Sequence, residues 1–394
     1  MKSIVVLIIL LLCFASASAQ THDHGAMQSG DGNFNPFVVS DSRGGFYFAY
    51  VQRTNGASNV MLRHSADGRS FDPPVRVNDR DGDSTVRNEN PPKIAVSRKG
   101  DVYVCWANET ARWKGNIRFA RSTDGGKSFL PAITINSDAM RDPAGHAFQS
   151  VATDRIGRVY VVWIDERDKK PSDRGAEIWM STSDDEGKTF SRDRKILSQV
   201  CECCRSNIQI DASGRLLLAY RTVPNQGPMF RDIVLAVSAD RGGSFSTRVV
   251  SHDGWEINAC PVAGPSLCVD ASNRITVIWF TGGGDRAGLY YASSSDLGVS
   301  FSKRRLLDSD QKLGKHAQAV ARADGQIIVA WDDSGDKPLT QWGTLNEESG
   351  LLRKHGFRNE AIYPVVAASK DALVVVGLQS NKDVFVQTES LKNP

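Results

Sequence analysis

The chain has 394 residues, enough for one large domain built of repeats, and 48 Lys and Arg against 45 Asp and Glu leave a net charge of +3. The two signs are interspersed and no basic run occurs, so the composition excludes a nucleic-acid-binding footprint. Past the first twenty residues no stretch is apolar enough to span a bilayer, which leaves an exported protein as the expectation.

Export is read from the start of the chain. Met1-Lys2-Ser3 is a charged opening, Ile4 to Phe14 (with Cys13) an apolar core too short to span a bilayer, and Ala15 to Ala19 a small-residue cleavage region. This predicts a secretory leader over 1–19, cleaved before Gln20, and a periplasmic or extracellular protein. Residues 20–33 are polar and read as a flexible lead. His22 and His24 within it read as a metal contact or, more plainly, as part of a disordered terminus.

From residue 34 onward one domain is expected. A pair of strands recurs: Asn35 to Val39 leads into Gly45–Tyr50, Pro92 to Val96 into Asp101–Trp106, and Gln149 to Asp154 into Arg158–Trp163. Ser206 to Asp211 leads into Arg215–Tyr220, Pro265 to Asp270 into Arg274–Trp279, His316 to Val320 into Gln326–Trp331, and Tyr363 to Ala367 into Leu373–Gly377. Each unit is a short strand, a polar turn and a β-branched strand, mostly ending in an aromatic. Trp106, Trp163, Trp279 and Trp331 are expected to pack between units.

A turn motif, Ser-x-Asp-x-Gly-x-x-Phe, follows the third strand of most units. It occurs around Asp67 (one residue shorter), Asp124, Asp185, Asp240 and Asp296, starting at Ser65, Ser122, Ser183, Ser238 and Ser294. That period marks a repeat architecture. Gly accepts positive φ and Asp accepts backbone N–H groups, so the motif closes a tight turn. A fourth strand follows each turn. Four antiparallel strands per period predict an all-β propeller. Seven units are counted, with six blades as the alternative. The sixth has a degraded turn near Asn346–Gly350, and the seventh has three strands.

The turn motif resembles the Asp box of the sialidase-type β-propeller superfamily, and the resemblance extends loosely over the whole mature chain. The run Val200–Arg205, with Arg231-Asp232, His252–Trp255 and Cys260, resembles a bacterial exported subgroup; this implies fold and location. In a four-stranded blade, the turns between strands 1 and 2 and between strands 3 and 4 share one face. The remaining loops surround the channel mouth on the other. Asn90, Asp165–Arg167, Glu177, Cys201–Arg205, Arg231, Asp232, His252, Asp253, Trp255, Cys260, Asp285, Arg286, His316 and Tyr363 fall on that face.

The resemblance implies three arginines clamping a substrate carboxylate, a Tyr nucleophile assisted by Glu, and an Asp acid/base. A guanidinium suits the clamp because its planar fork pairs bidentately with carboxylate. Arg205 and Arg231 are the clamp candidates, Tyr363 the nucleophile, and Asp232, Asp253 and Glu177 the carboxylates. The Phe-Arg-Ile-Pro motif that carries the superfamily's first arginine is replaced here by Phe34-Asn35-Pro36-Phe37. Arg231-Asp232 also reads as a structural ion pair and Tyr363 as a lid on the channel. His252, Trp255, Arg286 and His316 complete the candidate binding set, with Trp113, Trp255 and Trp342 as sugar-stacking platforms. The leading expectation is a propeller binding an anionic or carbohydrate-like ligand, with exo-sialidase-type glycoside hydrolysis as its chemistry. The alternative is a non-catalytic propeller that binds a protein partner or a soft metal. A monomer is expected.

Six cysteines follow the leader: Cys105, Cys201, Cys203, Cys204, Cys260 and Cys268. Cys105 and Cys268 lie inside strands and read as buried small hydrophobes. The others read as structural disulfides, as a copper or zinc site aided by His316 or His146, or as redox thiols. A Cys203–Cys204 bond is disfavoured by vicinal-ring strain.

Overall fold

The computed structural model describes residues 30–391 apart from 88, 112–113, 140–143, 311–312, 334–336 and 348. The expected leader, residues 20–29 with His22 and His24, and Trp113 lie outside the described residues.

Seven antiparallel sheets follow one another along the chain, at residues 32–76, 93–134, 146–200, 207–251, 266–306, 314–359 and 361–390. Six have four strands in sequential order and the last has three. The first strands of the sheets, Gly32–Ser40, Lys93–Val96, His146–Thr153, Asn207–Ile210, Ser266–Val269, Gly314–Ala321 and Ala361–Ala368, each touch the next, and the seventh touches the first. That closed ring makes the molecule a seven-bladed propeller with these strands innermost. Six blades are thereby ruled out, and closure is direct, through a three-stranded last blade. The first strand starts at Gly32, two residues inside the segment read as a flexible lead.

The second strands explain the apolar runs of the sequence. Val159–Asp165 and Ile275–Thr281 are buried at every position, because neighbouring blades cover both faces. Outer strands such as Arg194–Val200 are mostly exposed. Trp106, Trp163, Trp279 and Trp331 are all at or below 1% exposure and fill the spaces between blades. Truncating such a ring to Ala costs about 3–5 kcal/mol.

The repeated turns show why the motif needs each residue. The backbone N–H groups of Lys127 and Ser128 donate to Asp124 Oδ1 at 3.0 Å each, and Gly126 N–H donates to Ser122 Oγ at 2.8 Å. The same bonds recur at Asp185 and, in most part, at Asp240 and Asp296. Gly126 has φ 87°, and a Cβ there would lie 2.9 Å from Leu62 Cδ2 of the preceding blade. Gly68 meets Val374 of the last blade in the same way. The motif Gly is thus a close-approach point between blades as well as a turn residue. In the sixth blade a continuous hairpin, Leu339–Asn346 with Leu351–Asn359, replaces the motif.

Among the described residues no helix is long and apolar enough to cross a membrane.

Candidate functional site

Opposite the repeated turns, the inner strands begin with a shared distortion. Asn35, Glu89, Phe148, Val262, His316 and Tyr363 have φ between 45° and 58°, in the left-handed region, at or just before the start of six different blades. Register breaks accompany it at Phe34/Phe37, Lys315/Gln318 and Ile362/Val365. Such bulges re-aim side chains. Non-glycine residues pay about 1–3 kcal/mol each for this conformation and hold it where surrounding structure imposes it.

A cavity opens here at the channel mouth. Asn35, Glu89, Lys93, Arg205, His316, Gln318 and Tyr363 line it, together with apolar neighbours such as Pro91 and Val365. These residues come from five blades, which only the central axis can bring together.

The polar groups divide into satisfied and open ones. Arg205 is fixed: it pairs with Glu89, and its Nη2 donates to Ala317 O at 2.7 Å. The Gln318 side-chain oxygen, turned toward it, accepts from Arg205 Nε at 2.9 Å. His316 Nδ1 meets both oxygens of Asp332 at 2.9 Å, and Asp332 Oδ2 accepts the Tyr363 backbone N–H at 2.7 Å. Burial alone would lower the His316 pKa, but the Asp332 and Glu89 carboxylates outweigh it and raise it. Burial, with Glu89 and Asp332 adding to it, pushes the Tyr363 phenol up. At neutral pH the site therefore presents a neutral phenol beside an imidazole whose charged form the two carboxylates favour.

Open groups remain. Glu89 Oε2 and Asn35 Oδ1 are buried acceptors with no hydrogen-bond partner. Lys93, 5% exposed, has no carboxylate partner among the described residues, and its Nζ lies 4.1 Å from the centroid of the Phe37 ring. Burial, and then the nearby Arg205 charge, lower its pKa to about 7.

The other candidates lie apart from this cavity. Glu177 accepts from Trp179 Nε1 at 3.0 Å and from Lys195 Nζ at 2.8 Å, near the rim of the third blade. His252 Nδ1 lies 3.2 Å from Asp232 Oδ2, with its side chain 84% exposed. Asp253 is buried, accepts from Trp279 Nε1 at 2.7 Å and pairs with Arg304. Arg286 Nη1 donates to Ser309 O at 2.7 Å. Trp255 packs on Phe280, with the Arg221 guanidinium 5.2 Å from its ring centroid. Trp342 is 3% exposed and donates to Glu389, so it offers no open stacking face. Of the candidate clamp and nucleophile, Arg205 and Tyr363 share the cavity. Arg231 instead faces sulfur.

The expected proximity of Cys260 to the Cys201–Cys204 run is present. Cys203 and Cys260 form a disulfide, while Cys201 and Cys204 are buried thiols with Sγ atoms 3.1 Å apart. Arg231 Nη1 donates to Cys201 Sγ at 3.2 Å and its Nη2 to Met229 Sδ at 3.5 Å. Neither histidine proposed as a helper joins the sulfurs. His316 is held by Asp332, and His146 by Asp138, Asp165 and the Gly115 carbonyl. Cys105 and Cys268 are buried and free, as expected of small hydrophobes.

Glu89, Lys93 and Asp332 escaped sequence reasoning. A signal for Glu89 was present: it stands just before Asn90-Pro91, in the register of Asn35-Pro36 and Tyr363-Pro364. Lys93 resembles any outward-facing strand lysine, and Asp332 stands with Asp333 at the end of an otherwise apolar strand.

Neither family models nor curated protein sequences match the chain. Solved structures do match its fold. An ulvan lyase described as a new family of polysaccharide lyase, PL25, bound to -[GlcA(1-4)Rha3S]-, is 11% identical with a TM-score of 0.61, over 92% of this chain and 94% of that one. The Hadza microbial sialidase Hz136 is 14% identical with a TM-score of 0.52, over 87% and 73%. A variant of the NanB sialidase from Streptococcus pneumoniae is 15% identical with a TM-score of 0.50, over 93% and 70%. The chain has the sialidase-like β-propeller fold.

Proposed function

We propose that the protein is an exported, carbohydrate-active propeller whose channel mouth takes the carboxylate of an acidic sugar. Lys93 carries this reading. A buried amine without a counter-ion is costly and becomes fully charged when an anion closes on it. Around it, Glu89 Oε2 and Asn35 Oδ1 await donors such as sugar hydroxyls, and the Tyr363 hydroxyl supplies a donor.

The arrangement fits carboxylate binding with proton donation to a leaving oxygen, rather than clamping by three arginines. Among the candidate arginines, Arg205 alone lines the cavity, and it is already paired with Glu89. One structural neighbour is described as a lyase holding a glucuronate-containing oligosaccharide, which favours uronates as the first ligands to try. The leader at 1–19 and the Cys203–Cys260 bond support placement outside the cytoplasm.

Calorimetry of the mature chain with uronate oligosaccharides, a sialoside and a neutral oligosaccharide of equal length tests the reading. Binding restricted to the carboxylated sugars is expected. Ultraviolet absorption of an unsaturated product distinguishes elimination from release of free sialic acid. Equal affinity for the neutral sugar, or no carboxylated sugar bound with Kd below about 1 mM, would overturn it.

A further inference from the structure

The fourth blade holds two buried cations with no carboxylate paired to them among the described residues. Arg221 is 0% exposed. Its Nη atoms donate only to the carbonyls of Arg231, Ala263 and Phe280, and its Nε has no partner. Arg231 is 4% exposed and donates to Ile257 O, Cys201 Sγ and Met229 Sδ. Neither has a carboxylate within ion-pair distance among the described residues. Buried charges are normally paired, and an unpaired one is strongly destabilising.

Negative charge in this pocket can come from sulfur. Cys201 and Cys204 form a Cys-x-x-Cys pair, and with Cys203 their Sγ atoms all lie within 4.8 Å of one another. Met229 packs against the same cluster, and the guanidinium of Arg231 spans its thioether and the Cys201 sulfur. The Cys203–Cys260 bond ties the run to the loop before the fifth blade, which holds the thiols in place without using them.

We propose that Cys201 and Cys204, with Met229 as a third sulfur, bind one cuprous ion. Thiolate and thioether sulfur are soft ligands that select Cu(I). Both thiols lose their protons on binding and two Cu–S bonds form. Copper stays monovalent, the disulfide stays intact, and no electron moves. The bis-thiolate complex carries one negative charge, which the two guanidiniums offset. Met229 is partly exposed beside the exposed segment 225–228, giving the ion a route in.

Anaerobic titration of the mature, disulfide-intact chain with Cu(I) held by a competing chelator tests this. One ion per chain, release of close to two protons and a sulfur-only shell by X-ray absorption are expected. Cys201→Ser and Cys204→Ser each lose chelator-resistant copper, and Met229→Leu weakens binding by roughly 10-fold. Unchanged melting in Met229→Leu separates ligand loss from misfolding. The proposal is overturned by nitrogen or oxygen in the copper shell, by undiminished copper in Cys201→Ser, by preferential retention of Zn(II), or by a native Cys201–Cys204 disulfide.

Discussion

Lys93 Nζ lies 4.1 Å from the centroid of the Phe37 ring, and no carboxylate closes on it. The aromatic face supplies some attraction, about 0.5–2 kcal/mol for a desolvated cation, but no full counter-charge. Lys93→Met keeps the bulk and removes the charge, so affinity for a carboxylated sugar falls on the order of 10-fold or more. Wild-type affinity is strongest below pH 7 and weakens as Lys93 loses its proton above it. Stability runs the other way. The folded pKa of about 7 lies below the ordinary 10.5, so the unfolded chain binds more protons between them, and stability rises with pH across that window. Calorimetric titration and thermal melts from pH 6 to 10 check both trends, and Lys93→Met flattens both.

The His316–Asp332 contact makes a second prediction. Asp332→Asn removes the largest influence raising the imidazole, leaving Glu89 alone against burial and the Arg205 charge. The His316 pKa should then fall, read from the ring nitrogen shifts by NMR. In the wild type the folded value lies above 6.5. The pair's contribution to stability is therefore complete below 6.5 and is lost as pH rises through the folded value. The Asp332→Asn chain should show a smaller loss over that range.

The propeller was legible because its blades repeat: apolar runs at Val159–Asp165 and Ile275–Thr281, and the Asp124-type turns, recur at one period. Tyr363, His316 and Arg205 were legible as mouth residues because topology alone assigns them to one face. Lys93 was hidden, since a lysine at the start of a strand reads as solvent-facing on a single copy of the sequence, and the mark left by Glu89 beside Asn90-Pro91 was passed over. Arg231 was misdirected by its charge: a guanidinium suggests carboxylate, and here it meets the sulfurs of Cys201 and Met229.

The repeated turns predict acid sensitivity. Hydrogen bonds from Ser300, both side chain and backbone, bring Asp296 down to about 2 from the ordinary 3.8. Asp124 also falls to about 2: burial opposes the shift, but bonds from Ser122, Ser128 and Lys127 outweigh it. A depressed carboxyl contributes stability that is complete above its unfolded pKa and lost as pH falls through the folded one. Melting temperature should therefore drop steeply between about pH 4 and pH 2. Asp124→Asn should lower stability at pH 7 and flatten part of that drop. Thermal melts of both chains across that range decide the matter.

Ring closure gives the last prediction. Gly68 and Gly56 share left-handed backbone, φ 78° and 80°, but differ in surroundings. A Cβ on Gly56 meets nothing within 4 Å. One on Gly68 would lie 2.7 Å from Val374 Cγ2 and 3.0 Å from Phe46 Cε2, both buried where the last blade meets the first. Gly56→Ala carries only the backbone cost, about 1–2 kcal/mol. Gly68→Ala adds overpacking of roughly 1–3 kcal/mol in a seam that cannot open without parting the two blades. Denaturant unfolding of the two variants measures the difference. Equal destabilisation would mean that the first and last blades yield at the seam, and that the Gly68 contact does not constrain closure.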